Sequence, residues 1–174
     1  MIDLKIDYIE DWSTGSCVND EHGANDCTTD RYQLCAQNLA STTDAWNFIH
    51  CNFQYQSCLS TNTSPGGQYP NCYLDGVLEG CAAYLSKSGV DYAALKSCAT
   101  NTTSAAWAKA SGNVTAVVAS SHPLWVQVDG AAVTDDSAGT TAWATSVLTA
   151  ICKAAKAKGV TAPAACDSAS SSFM

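Results

Sequence analysis

The chain has 174 residues, 47% of them hydrophobic and only 14% charged, which excludes a disordered polypeptide and suffices for one buried core. A formal net charge of -8 argues against nucleic acid and anionic membrane as partners. Ten cysteines at wide, irregular spacing match no zinc ribbon, so an oxidising compartment with up to five disulfides is expected. Their pairing stays open, because ten cysteines allow on the order of 900 connectivities.

Residues 2–9 alternate strictly, with Ile2, Leu4, Ile6 and Tyr8 on one side. That predicts a strand and not the apolar segment of a signal peptide. Residues 10–29 read as a cysteine-rich loop, in which Gly23 turns the backbone and Asp26 and Asp30 cap the helix that follows. That helix spans 30–41, with Leu34, Cys35 and Leu39 near one side. A second helix is expected over 43–58, where Trp46, Ile49 and Phe53 fall at helical spacing and belong to the core. The run Thr-Asn-Thr-Ser-Pro-Gly-Gly makes 60–71 a loop. The clearest helix is 73–87, where Leu74, Val77, Leu78, Cys81 and Leu85 share a stripe and Gly89 follows as the stop. Asp91 caps a short helix over 92–99 carrying Leu95 and Cys98, and a further helix, 104–111, holds Trp107 and ends at Gly112.

The pattern then changes. Leu124 to Val128 reads as a strand, Asp129-Gly130 as a hairpin turn, and Ala131 to Val133 as the return. A last helix, 141–158, puts Trp143, Val147, Ile151, Ala154 and Ala155 on one face. Lys153, Lys156 and Lys158 crowd its negative end, and Gly159 stops it. Cys166 pins the tail, and 167–174 is expected to be loose. The whole reads as a single domain over 1–166. Three sequons, at Asn62, Asn101 and Asn113, agree with a secretory route. A disulfide-rich, sequon-bearing chain that opens on a strand leads to the expectation that the natural chain begins upstream of Met1. His22, His50 and His122 are too scattered for a metal site, and no cofactor fingerprint is present. No apolar run is long enough to span a membrane.

The stretch His22-Gly23-x-x-Asp26-Cys27-x-x-Asp30-x-x-x-x-Cys35 resembles the signature of the gamma-interferon-inducible lysosomal thiol reductase family. The resemblance continues through Cys51, through Leu78-Glu79-Gly80-Cys81 to Leu95-Lys96-Ser97-Cys98, through His122 and Trp125-Val126-Gln127-Val128-Asp129-Gly130, and into Cys152 and Cys166. It implies an α/β, thioredoxin-like fold with a large disulfide-stapled helical insertion at about 30–112. It also implies a lumenal compartment (endosomal, lysosomal or extracellular). Strand, helical block, hairpin and helix follow that plan in order, with its opening strand-helix unit missing.

The departures bear on chemistry. The family motif opens with Cys-Gln before His-Gly, whereas Asp20-Glu21 stands here and Cys17 lies further back. Family members use a Cys-x-x-Cys near the N-terminus, and this chain contains none. A disulfide reductase needs a low-pKa thiolate and a resolving cysteine, so no catalytic residue is carried over. The family proline before the hairpin Trp is replaced by Leu124, which leaves Pro123 as the candidate cis proline. Cys17, Cys27, Cys35, Cys51, Cys58, Cys72, Cys81, Cys98, Cys152 and Cys166 are therefore assigned to disulfides. Three alternatives stay open: a non-catalytic relative of the reductases, the larger part of an active reductase whose Cys-x-x-Cys lies upstream of Met1, or a secreted structural subunit. Three arrangements are open for the missing strand: an upstream segment of a longer chain supplies it, a separate protein partner adds it by β-addition, or residues 2–9 pair directly with 124–128.

Overall fold

The structure, a computed structural model, describes residues 5–7, 25–55, 73–118, 126–133 and 140–169. Cys17, His22, Gly23, Cys58, Asn62, Cys72, His122 and Pro123, together with the expected loop 60–71, lie outside the described residues. Contacts divide the chain into two compact units, Asp3–Val118 and Ala119–Met174 with Met1–Ile2.

The first unit is helical. It contains α1 (Asn25–Leu39), α2 (Thr42–Gln54), α3 (Leu74–Ala82), a 3-10 helix (Ala83–Ser88), α4 (Tyr92–Thr100) and α5 (Thr102–Val118). Helix α1 packs against each of the other four α-helices. It does so because it is buried on more than one side: Tyr32, Leu34, Cys35 and Ala36 are all inaccessible. The core closes over Phe48, Ile49, Leu78, Leu85 and Leu95, each fully buried, at about 1.5–3 kcal/mol per side chain.

Local chemistry fixes the helix ends. Ser41 and Asp91 accept from the backbone N–H groups of Asp44 and Ala94, capping α2 and α4. Gly89, at φ 73, closes the 3-10 helix. Its N–H donates to the Ser86 carbonyl and that of Val90 to the Leu85 carbonyl, while Val90 is buried beyond the stop.

Several expectations are corrected. Helix α1 begins at Asn25, so Asp26 and Asp30 lie inside it and do not cap it. Leu39 is exposed, because the chain turns away at Ala40 and Ser41. Trp46 and Phe53 are 43% and 50% exposed and are not core. Helix α2 instead buries Ala45, Phe48, Ile49 and Asn52. Its rotation is set by two long-range attachments, the Cys51–Cys81 disulfide and a Ser88 hydroxyl bond to Asp44. Helix α5 runs through Gly112 to Val118. Ser104, Ala108, Ser111 and Gly112 form a buried small-residue stripe on it, so Gly112 lies within the helix and does not stop it. Residues 5–7 carry no strand. The backbone groups of Ile6 are taken by the Gln37 side chain, which leaves them nothing to give a ladder.

The second unit contains β1 (Val126–Val128), β2 (Ala131–Val133), α6 (Thr140–Ala157) and α7 (Ala165–Ala169). The strands pair antiparallel, with Val126 opposite Val133 and Val128 opposite Ala131. Asp129 and Gly130 both take positive φ, 54 and 79, as a two-residue hairpin turn demands. Helix α6 packs on both strands and on α7. Gly159, at φ 64, stops α6, with its N–H on the Lys156 carbonyl and that of Val160 on the Ala155 carbonyl. Lys158 reaches back to Asp129 at 2.5 Å. Residues 165–169, expected in part to be loose tail, are helical, because Cys166 is tied to Cys152. The described residues are thus mostly helical with one small antiparallel sheet, an α/β composition of a coarse kind.

Candidate functional site

The residues singled out by the sequence converge on the faces of α1. Cys27, Arg31 and Cys35 recur every four residues and so share a side of that helix. Cys35 is fully buried and bonded to Cys98 of α4, with Cα atoms 6.0 Å apart. Cys27 is half-buried and disulfide-bonded, and it packs with Trp107 against Leu34 and Ala108. Of the remaining signature residues, Asp30 is half-buried in α1, while Asp26 lies in its first turn. The signature is therefore a packing and cross-linking element where it is described.

Arg31 was not singled out by the sequence, yet it joins three helices. Its Nη2 donates to the Asn101 carbonyl at 2.8 Å and to Ser104 Oγ at 2.9 Å, and its Nε donates to the same hydroxyl at 3.3 Å. Ser104 is fully buried. Burial pushes the guanidinium pKa down, yet the group remains cationic in this setting. Its position one turn after Cys27 was the available signal, but nothing local reveals a partner about 70 residues away in the chain.

Two further disulfides complete the staples. Cys51 of α2 is bonded to Cys81 of α3 across 30 residues, and Cys152 to Cys166 across 14. Cys81, Cys98 and Cys166 are buried, and there is no free cysteine among the described residues. A sulfur held in a buried disulfide cannot act as the attacking thiolate.

Two surface depressions of the helical unit are lined, among the described residues, by neither cysteine nor histidine. One groove, of about 160 Å³, runs between the 5–7 segment and the α1–α2 corner, with Ala45, Trp46 and Ile49 along one wall. Its lip is the Ile6–Gln37 pair: Ile6 N–H donates to Gln37 Oε1 at 2.8 Å, and Gln37 Nε2 donates to the Ile6 carbonyl at 3.2 Å. The second, flanked by Glu79, Asp91 and Tyr92, is a wide depression beside the Gly89 turn. There burial, then hydrogen bonds to Tyr32 and Asp75, push the Tyr92 phenol well above its ordinary range. It donates to Asp75 Oδ1 at 3.0 Å and stacks on Tyr32, with Lys96 lying 5.6 Å from its ring centre. A phenol held so firmly neutral is a structural hydrogen-bond donor and not a nucleophile.

His50 lies exposed on the outer face of α2. Among the described residues no group of three His, Cys, Asp or Glu side chains could hold a metal ion. Among them, too, no helix is long and apolar enough to cross a membrane. Asn101 and Asn113 are both exposed, Asn101 between α4 and α5 and Asn113 within α5.

No family model matches this chain, and neither a curated protein nor a solved structure is found to be similar to it.

Proposed function

We propose that this chain is a lumenal or secreted relative of the gamma-interferon-inducible thiol reductases in which the cysteines build the scaffold and do not perform exchange. The observation that carries this reading is the placement of the bonded cysteines. Cys35–Cys98 and Cys51–Cys81 join helices across a buried core, and they involve the same cysteines that carry the sequence resemblance. Such bonds fit an oxidising compartment. The absence of a Cys-x-x-Cys from the chain removes the pair of sulfurs that attack and resolution require. A thioredoxin-like arrangement of the second unit is supported by its hairpin and by the helix packed on it.

On this reading the protein acts as a binding or structural component. Its partner, whether a second chain or an upstream segment, adds to the hairpin edge. In a two-residue hairpin closed by Val128 and Ala131, the antiparallel alternation turns the N–H and C=O of Gln127 away from β2. Those groups suit an added strand.

The test is turnover of a protein disulfide by the purified chain at acidic and neutral pH, together with peptide mapping without reduction. The expected outcome is no turnover and mapped Cys35–Cys98, Cys51–Cys81 and Cys152–Cys166 bonds. Measurable turnover, or alkylation of Cys35 or Cys98 without reductant, would overturn the reading.

A further inference from the structure

We infer that Asn101 carries an N-linked oligosaccharide, and that among the described residues the fold commits every polar atom of Asn101 except the one that accepts the glycan. The inference rests on the lumenal reading above and adds a modification site to it. Asn101 heads the triplet Asn101-Thr102-Thr103, all three residues exposed, at the junction of α4 and α5. It has an extended backbone, φ -88 and ψ 170, between two helices. That is the surface-turn setting in which a sequon can present its amide.

Every other polar atom of Asn101 is committed to the fold. Its N–H donates to the Cys98 carbonyl at 3.1 Å, which closes α4. Its carbonyl accepts from Arg31 Nη2 at 2.8 Å, from Ser104 Oγ at 3.0 Å and from Ala105 N–H at 3.4 Å. Its Oδ1 accepts from Ser104 N–H at 2.9 Å and so caps α5. Among the described residues Nδ2 has no partner, and it is the atom that glycosylation uses. Cap and glycan therefore do not compete, since one takes the oxygen and the other the nitrogen of the same amide. Asn113, the other described sequon, is also exposed but sits on the helical backbone of α5.

The transfer balances with a lipid-diphosphate-linked oligosaccharide as donor. A bond forms between Nδ2 and the anomeric carbon of the first sugar. The bond from that carbon to the diphosphate oxygen breaks, the diphosphate leaves with the electron pair, and Nδ2 gives up one proton.

The test uses full-length protein isolated from its natural source with thiols blocked at lysis. It is digested without reduction, and the 101 peptide is mapped before and after an amidase that converts glycosylated Asn to Asp. The expected result is a glycan on most Asn101 and its conversion to Asp on treatment. A Thr103→Ala variant made in the same host loses that mass completely while its far-UV circular dichroism matches the parent's, because Asn101 still caps α5. Unmodified Asn101 in a protein whose cysteines are oxidised overturns this inference and leaves the lumenal reading standing. Reduced cysteines together with an unmodified Asn101 overturn both.

Discussion

Replacing Cys35 and Cys98 together by alanine tests whether the staple between α1 and α4 carries the helical unit. The bond spans 63 residues, and by loop-closure entropy alone such a cross-link is worth about 4.3 kcal/mol. The Cys51–Cys81 bond lies inside that span. With it intact, removing the outer bond opens an effective loop of only about 34 residues, worth about 3.8 kcal/mol. Both sulfurs are buried, so their loss also leaves a small cavity, costing on the order of 1 kcal/mol. The double variant should therefore lose about 4–5 kcal/mol, a large share of the usual stability of a domain. The assay is urea unfolding without reductant, followed by far-UV circular dichroism, which reports the helices. The m value should also rise, because the unfolded chain becomes less constrained and exposes more surface. A loss below about 1 kcal/mol with an unchanged m value would refute the entropic reasoning and make the bond incidental to the fold.

Two other predictions concern side chains that sequence patterns did not single out. Asn52 is fully buried, with neither Oδ1 nor Nδ2 bonded among the described residues, so Asn52→Leu, which keeps the branched shape, should stabilise the protein by about 1–2 kcal/mol. Destabilisation by more than 1 kcal/mol in thermal unfolding would show that the amide has a bonded partner such as a buried water. The Tyr92 phenol is held protonated in the fold above the ordinary phenol value of 10.0, so its contribution is fully present below pH 10 and is lost as the pH rises further. Tyr92→Phe should flatten the alkaline limb of the stability profile above pH 10, and an unchanged slope there would refute the assignment.

Features governed by neighbours in the chain were legible. The stripe from Leu74 to Leu85, the stops at Gly89 and Gly159, the Asp91 cap and the Asp129-Gly130 turn each depend on residues a few positions apart. Features governed by distant partners were not. The face of α2 that turns inward is chosen by Cys81 and Ser88, so its own periodicity left Trp46 and Phe53 looking equally suited to the core. The alternation at 2–9 is genuine, but a pattern of apolar residues does not say whether a backbone or a side-chain amide will meet Ile6. Arg31 shows the same limit at the signature, because its partners lie in α4 and α5. The described cysteines were legible as disulfide-forming but not as pairs, since connectivity follows from which helices meet.

A single residue, Asn101, ends α4 and starts α5, so the junction contains no spare length. One extra residue placed there would advance the second helix by about 100° relative to the first. That would swing Ser104 and Ala108 off α1 while Cys98 still held α4 in place. The helical unit is therefore tuned in angular phase at this point. Relatives should tolerate changes of residue at the α4–α5 junction far better than changes of chain length.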